Sequence, residues 1–274
     1  MTAGGLTLMA VHAHPDDEAS STGGILARYG AEGVRTVVVT CTNGELGDGP
    51  EGVKPGEPGH DEATVTSVRR GELERSCAIL KVTDLELLGY HDSGMMGWPQ
   101  NDQPGSFWAT PVEEASARLA TLIERYRPEV VVTYDERGFY GHPDHIQANR
   151  ITLAALESTG IPQKLYYPGI PKSALASFRA IFEEEGIEDL DGPDDGGPEI
   201  GVDDDLIAAT IDCSAFVDQK FEALGAHASQ LDNSFFVRLG RERFASIFGR
   251  ELFVRPFDKT GSPVPEHDLF SGVR

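Results

Sequence analysis

Residues 6–41, LTLMAVHAHPDDEASSTGGILARYGAEGVRTVVVTC, read as strand, turn, helix and strand. LTLMAVHA (6–13) is an apolar strand and EASSTGGILARYGAEG (18–33) has a helical pattern. VRTVVVTC (34–41) is a β-branched run long enough for a strand buried on both faces. The alternation continues outward from this unit. TVTSVRRGELERSCAIL (64–80) is helical, with apolar Leu73, Cys77, Ile79 and Leu80 near its end, and DLELLGY (84–90) is a strand. PVEEASARLATLIERYRP (111–128) is a helix with Pro at its start, EVVVTYD (129–135) a strand, and HPDHIQANRITLAALEST (142–159) a helix. Further on, IAATIDC (207–213) reads as a strand and AFVDQKFEALGAHASQ (215–230) as a helix, before a tail with one short strand and a Pro-rich arm. Strands alternating with helices predict an α/β fold, a mostly parallel sheet covered on both faces. In such sheets the ligand site lies beyond the carboxyl ends of the strands.

The chain of 274 residues, 39% hydrophobic and 25% charged, has ordinary globular composition and ample length for a buried core. With no internal repeat and no clean linker, a single domain over residues 1–274 is expected. No apolar run approaches the roughly 20 residues needed to span a bilayer. The N-terminus shows neither the basic start nor the cleavage site of a secretory signal. Cys41, Cys77 and Cys213 are widely spaced with no CxxC, which reads as thiols in a reducing compartment and a cytoplasmic protein.

The net charge of −22 is unevenly spread, because residues 183–205 hold 12 acids and no Lys or Arg. That Gly- and Pro-rich stretch reads as a solvated loop, and it lacks the ligand spacing of an EF-hand. An acidic surface of this kind makes nucleic acid and anionic membranes poor partners. The remaining partner class is a small molecule, and a homo-oligomer is left open.

Chemistry gathers at two turns. HAHPDDEAS (12–20) puts two histidines, a proline and three consecutive acids where the first strand gives way to a helix. Pro15 starting a helix and acids favouring its positive end explain Pro15, Asp16, Asp17 and Glu18. They do not explain His14. The second stretch, TYDERGFYGHPDHIQ (133–147), repeats His, Pro and acid at another strand-to-helix junction. Both turns open on the carboxyl edge of the sheet and so belong to one site. The spacing suits a metal, since His14 and Asp17, like His142 and His145, are three residues apart at a helix start and share a helix face. Three His or Asp ligands plus one open position describe a catalytic zinc site, and the cysteines avoid both motifs. A neighbouring acid that does not bind the metal is then available as a base.

AHPDDE together with YGHPDH resembles the signature of the PIG-L/LmbE family of zinc-dependent N-deacetylases. Matching pieces include VVVTCTNGE, VRRGEL, DSGM, VVVTYD and AHASQ, so the likeness covers roughly residues 6–160 and a C-terminal helix near His227. Within the family it is similar to the actinobacterial mycothiol enzymes, the deacetylase of N-acetylglucosaminyl-inositol and the amidase of mycothiol S-conjugates. The resemblance implies a Rossmann-like three-layer fold and hydrolysis of an amide on an N-acylated amino sugar or related metabolite by zinc-activated water. It implies His14, Asp17 and His145 as zinc ligands and Asp16 as general base. It makes His142 the cationic group that stabilises the oxyanion or protonates the leaving amine, with Asp144 beside it, and Tyr140 the group that polarises the carbonyl. Arg69 and Asp92 are implied to hold sugar or inositol hydroxyls. Ser21 stands where the S-conjugate amidases carry a lysine, as in the deacetylases, whereas the tail PEHDLFSGV is more similar to the amidases. A non-catalytic metal- or metabolite-binding protein on the same fold is the rival from another class. No GxGxxG follows the first strand, which disfavours a dinucleotide enzyme.

Other polar residues carry weaker expectations. His12 reads as a packed histidine, His60 and His267 as loop residues without a specific task. Glu18 is expected to orient a ligand histidine. His91, Glu45 and His227 are candidates for the pocket wall, and Trp98 and Trp108 for a lid or the core.

Overall fold

The computed structural model describes residues 5–184, 200–231 and 239–274. Most of the acidic stretch, residues 185–199, lies outside them. The strands are β1 (Thr7–His12), β2 (Arg35–Thr42), β3 (Asp84–Tyr90), β4 (Val130–Val132), β5 (Lys164–Pro168), β6 (Ile207–Asp212) and β7 (Arg250–Asp258). They form one sheet in the order β3–β2–β1–β4–β5–β7–β6. The first five are parallel, and β7 runs antiparallel to both β5 and β6. The chain first builds outward from β1 to β2 and β3, then returns to the other flank of β1 with β4. The crevice at the carboxyl ends of β1 and β4 is therefore the topological switch point where such sheets bind ligands.

The helices are α1 (Asp17–Ala31), α2 (Glu62–Leu80), α3 (Val112–Tyr126), a single turn α4 (Gly138–Gly141), α5 (Pro143–Thr159), α6 (Lys172–Glu184), α7 (Val217–Gly225), the short α8 (Ala228–Leu231) and α9 (Gly240–Phe248). Side-chain alternation along the strands assigns each face its helices. From β1, Leu8 and Ala10 enter the core shared with α1, α2, α7 and α9, while Met9, Val11 and Ala13 enter the core shared with α3 and α5. Helix α2 starts where Asp61 caps it by accepting the Thr64 N–H over 3.0 Å. Its buried stripe runs Val65, Arg69, Glu72, Leu73, Ser76, Cys77 and Leu80. Three polar residues in a core stripe are not accounted for by packing, and each has a hydrogen-bond partner described below.

The expected fold class is the observed one, with differences in the C-terminal third. Strand β5 and helices α6 and α9 were not expected, and the tail strand is nine residues long rather than short. KLYYP (164–168) lacks the run of β-branched residues that marks β2, and Lys164 argues against burial. Lys164 is nevertheless fully buried, because its ammonium pairs with Glu266 and reaches Ser262 and the Ser271 carbonyl. The helix expected over 215–230 breaks at Ala226 and His227 into α7 and α8.

A second buried pair ties this third of the chain to α1. Glu251 of β7 accepts the Gly24 and Ile25 backbone N–H groups over 2.7 and 2.9 Å, and Lys220 of α7 lies 2.7 Å from the same carboxylate. Gly24 makes the approach possible, since a Cβ there would lie 2.7 Å from Cys213 Cβ and 2.8 Å from Glu251 Oε1. Glu251→Ala leaves a buried ammonium and two backbone donors without their acceptor. It is expected to cost about 3–5 kcal/mol in urea unfolding, as removal of one partner from a buried pair does. A loss below about 1 kcal/mol would show the pair is dispensable.

Candidate metal centre

Parallel pairing of β1 with β4, Leu8 opposite Val130 and Ala10 opposite Val132, brings the turns after the two strands side by side. Cross-links then lock them. The Tyr134 hydroxyl accepts the Ala13 N–H over 2.9 Å, Thr133 Oγ1 donates to the Val11 carbonyl over 3.0 Å, and Asn149 of α5 donates to the Tyr134 carbonyl over 2.8 Å.

The first turn is backbone-strained. Asp16, immediately before α1, has φ 106° and ψ −30°, and its carbonyl accepts the N–H groups of Ala19 and Ser20, both over 3.1 Å. A non-glycine residue in that region costs on the order of 1–3 kcal/mol and persists only where its surroundings over-determine it. At the second turn Phe139 has φ 67° and ψ −66°, and its N–H is held by Asp135 Oδ1 over 2.8 Å. His142 then caps α5, its Nδ1 accepting the Asp144 N–H over 3.2 Å. That bond places the proton of a neutral His142 on Nε2.

The structure brings together nine of the ten residues singled out above. Asp17 stands between two imidazoles, with Oδ2 3.5 Å from His14 Nδ1 and Oδ1 3.6 Å from His145 Nε2. His145 is buried, stacked on Tyr134 with ring centroids 4.0 Å apart, and its Nε2 has no hydrogen-bond partner among the described residues. A bare imidazole nitrogen buried beside a carboxylate is costly unless something accepts its lone pair. A divalent cation would do so, and the donor set suits one. Among the described residues, two overlapping groups have ligand atoms within 4.8 Å of one another: His14, His142 and His145, and His14, Asp92, His142 and Asp144.

A cavity of about 190 Å³ opens over these side chains. His14, Asp16, Asp17, Tyr140 and His142 line it with Arg69 and Asp92, while Leu46, Met95 and Trp98 form apolar parts of its wall. Ser21 is absent from the wall; it lies on α1 one turn past Asp17 and is half-buried.

Several expected roles change when contacts are read. Asp144, expected beside His142, donates its N–H to that ring, while its carboxylate turns to His14, Oδ2 lying 3.2 Å from Nε2, and accepts the Ser93 N–H over 2.9 Å. Glu18 was expected to orient a ligand histidine, yet it bonds to His227, Ser76 and the Asp16 backbone instead. Arg69 was expected to reach substrate hydroxyls. Its guanidinium already donates to the Gly44 carbonyl over 2.7 Å, the Pro15 carbonyl over 2.6 Å and Asp16 Oδ2 over 3.1 Å. Asp92 keeps an acceptor free for the cavity, with Oδ1 taking the Gly94 N–H over 2.8 Å. His12 is packed as expected, 2.9 Å from Thr22 Oγ1. Glu45 supports Asp92 from behind, accepting its N–H over 3.1 Å, and does not line the cavity. His91 also lies off the wall. Trp98 is the rim residue, whereas Trp108 lies under the Arg150 guanidinium at 4.7 Å.

Charge is distributed unevenly among these groups. Burial, only partly offset by the Arg69 guanidinium and reinforced by Asp17, pushes the Asp16 carboxyl up to about 6. Against burial, the His145 and His14 imidazoles hold Asp17 well below the usual carboxylate range. Burial lowers His145 to about 4. Burial and the neighbouring His14 and His145 rings hold His142 well below the ordinary imidazole value. These surroundings disfavour the imidazolium expected at His142, and a neutral His142 ring carries its proton on Nε2. Against burial, Asp92, Asp144 and Asp17 hold His14 well above the ordinary value.

Residues 9–156 match the model of the PIG-L family, GlcNAc-PI de-N-acetylase. The 1D-myo-inositol 2-acetamido-2-deoxy-alpha-D-glucopyranoside deacetylase of Acidothermus cellulolyticus is 43% identical over 97% of this chain and 95% of its own. The protein of the same description from Thermomonospora curvata is 40% identical over 97% and 96%. Among solved structures, the N,N'-diacetylchitobiose deacetylase of Pyrococcus horikoshii superposes with TM-score 0.59 at 16% identity, covering 91% of this chain and 83% of that one. GalB, the 4-carboxy-2-hydroxymuconate hydratase of Pseudomonas putida, superposes with TM-score 0.58 at 17% identity over 94% and 99%. The last two share the fold alone, since a fold of this kind carries more than one chemistry. The chain belongs to the PIG-L family.

The strain at Asp16 has a measurable consequence. Glycine occupies positive φ without the clash that penalises a Cβ. Asp16→Gly is expected to unfold at higher urea than Asp16→Ala, by about 1 kcal/mol, measured on chelator-treated protein. Equal midpoints would mean the turn relaxes when its carboxylate is removed.

Proposed function

We propose that this PIG-L-family chain is a single-domain, zinc-dependent deacetylase that hydrolyses the acetamide of a 2-acetamido-2-deoxyglucoside joined to a polyol such as myo-inositol, in the cytoplasm. One sheet with strands from residue 7 to residue 258 supports the single domain. No helix among the described residues is long and apolar enough to cross a membrane, which is compatible with that location. The observation that carries the catalytic reading is Asp17 held between His14 and His145 with Asp16 beside it on the cavity wall. His14, Asp17 and His145 are the proposed ligands. A zinc ion among them would act as a Lewis acid toward the amide carbonyl and lower the pKa of a water molecule from 15.7 to about 7.

The protein's own groups supply the rest. Asp16 takes the proton from the attacking water, a task for which a carboxyl raised to about 6 is well matched at neutral pH. Arg69 holds the carboxylate that does so. The Tyr140 hydroxyl and His142 Nε2–H face the carbonyl oxygen and stabilise the charge that develops on it. Tyr140 is suited to donate because burial and the nearby Asp17 and Asp16 raise its hydroxyl well above the usual value. Protonated Asp16 then delivers that proton to the departing amine. Asp92 accepts from sugar hydroxyls, with any remaining Arg69 donor beside it.

The amidase alternative rested partly on the tail. Leu269 and Phe270 are buried against α1, with the Leu269 N–H donating to the Tyr29 hydroxyl over 2.7 Å, and the tail does not line the cavity. The tail signal therefore has no contact through which to select a substrate. The Acidothermus cellulolyticus and Thermomonospora curvata relatives, matched over 95% and 96% of their own lengths, are described as deacetylases.

Metal removal by a chelator is expected to abolish deacetylation, and added zinc to restore it; activity indifferent to the chelator would overturn the reading. Asp17→Ala and His145→Ala are expected to lose metal. Asp16→Ala and His142→Ala should keep about one equivalent while kcat falls by roughly 10² or more. Metal loss in His142→Ala would assign the ligands to the other donor group, His14, His142 and His145.

Substrate choice is tested by kcat/KM over N-acetylglucosaminyl-polyols, plain N-acetyl amines and cysteine-containing conjugates. A site built to bond hydroxyls penalises analogues that leave its buried groups unpaired. The sugar-polyols are expected to lead, and Asp92→Ala to erase most of that lead with metal content unchanged. Cysteine conjugates ahead by tenfold would establish the amidase instead.

A further inference from the structure

The AHASQ segment (226–230) is not used by the chemistry proposed above. Helix α7 stops at Gly225 and α8 starts at Ala228, and between them His227 is fully buried. His227 Nε2 donates to Glu18 Oε1 over 2.7 Å, and Ser76 Oγ donates to the same oxygen. The other oxygen, Glu18 Oε2, accepts the backbone N–H of Asp16 over 3.0 Å. The next residues fasten the segment. Ser229 bonds through N–H and Oγ to Glu72 of α2 over 2.8 and 2.6 Å. The Gln230 amide brackets the Asp48 backbone, donating to its carbonyl over 2.9 Å and accepting its N–H over 3.1 Å.

We propose that His227 and Glu18 form a positioning pair for the reaction, His227 fixing Glu18 while Glu18 Oε2 fixes Asp16 in the positive-φ conformation that presents its carboxylate to the cavity. An acid in the first turn of a helix is ordinarily a solvated partner of the helix dipole. Glu18 is instead fully buried, where a carboxylate needs several donors, and three converge on it from α2, from the break after α7 and from its own turn. His227 does not line the cavity, so its influence passes through Glu18. The inference rests on the reading of Asp16 as the base.

The test compares metal-loaded full-length wild type with His227→Ala, His227→Gln and Glu18→Gln. Three quantities are read: kcat and KM on the N-acetylglucosaminyl-polyol, metal per chain, and hydrogen exchange of the peptide spanning residues 12–22. His227→Ala is expected to lower kcat roughly tenfold or more, the scale of a small misplacement, with KM within about twofold and metal unchanged. Exchange around Asp16 should accelerate. His227→Gln, which keeps an N–H donor, should recover most of both effects, and Glu18→Gln, which keeps an acceptor for the Asp16 N–H, should fall between.

Folded His227→Ala with wild-type exchange at the turn overturns the pair whether or not the substrate is right. So does faster exchange with unchanged kcat, or a kcat loss that follows metal loss. If His227→Ala does not fold, Ser76→Ala removes a different donor from the same carboxylate, and unchanged exchange and kcat there also overturn it. Wild-type inactivity on every N-acetyl sugar would refute the proposed function instead, with the exchange readout still deciding the pair.

Discussion

The site depends on β4 pairing with β1. The chain spends more than a hundred residues building one flank of the sheet before it returns to lay Val130–Val132 against Leu8–Ala10. Had β4 joined the outer edge beside β3, His14 and Asp17 would face one end of the sheet and His142 and His145 another. The return to the central strand makes a crevice of two strand-to-helix turns. Tyr134 and Thr133 fix their spacing by bonding to the backbone of β1 and the residue after it. Each turn then contributes a backbone conformation that its residue types do not favour, at Asp16 and at Phe139. Such strain is tolerable because the surrounding hydrogen bonds leave each turn no relaxed alternative.

Burying acid is the second recurring constraint. The chain is strongly acidic, yet Glu18, Glu72, Glu251 and Glu266 are buried away from the cavity, each with convergent donors. These carboxylates work as fasteners between distant segments: Glu18 joins α1 to the break after α7, Glu251 joins β7 to α1, and Glu266 joins the tail to β5. Asp16, Asp17, Asp92 and Asp144 differ in kind. The first three line one cavity and Asp144 lies against His14 behind it, and among the described residues of that wall Arg69 is the one fixed cation. A surplus of buried lone pairs is what a cation needs and what a merely structural network avoids.

The apolar part of the cavity wall comes from segments other than the two turns that carry the histidines. Leu46, Met95 and Trp98 come from the long connections after β2 and β3, which also carry Asp92. The two sequence features that pointed to different substrates, Ser21 and the tail, both stand off this wall. Neither one touches the cavity.

Much was legible in the sequence because it is local. The βαβ unit of residues 6–41 follows from hydrophobic run lengths and one intervening helical pattern. His14 with Asp17 and His142 with His145 follow from i,i+3 spacing at two similar junctions, and their sharing one edge follows from both lying after strands. What only the tertiary structure decided is pairing across long separations. Lys164 could be assigned to a buried strand only once Glu266 lay beside it, 102 residues on. Arg69 was given a partner in Asp16, 53 residues back, and Glu18 turned from a histidine guide into the partner of His227, 209 residues away. Local propensity reports what a residue prefers in isolation, whereas a buried charge goes wherever the fold supplies its counter-charge, and that partner is set by packing.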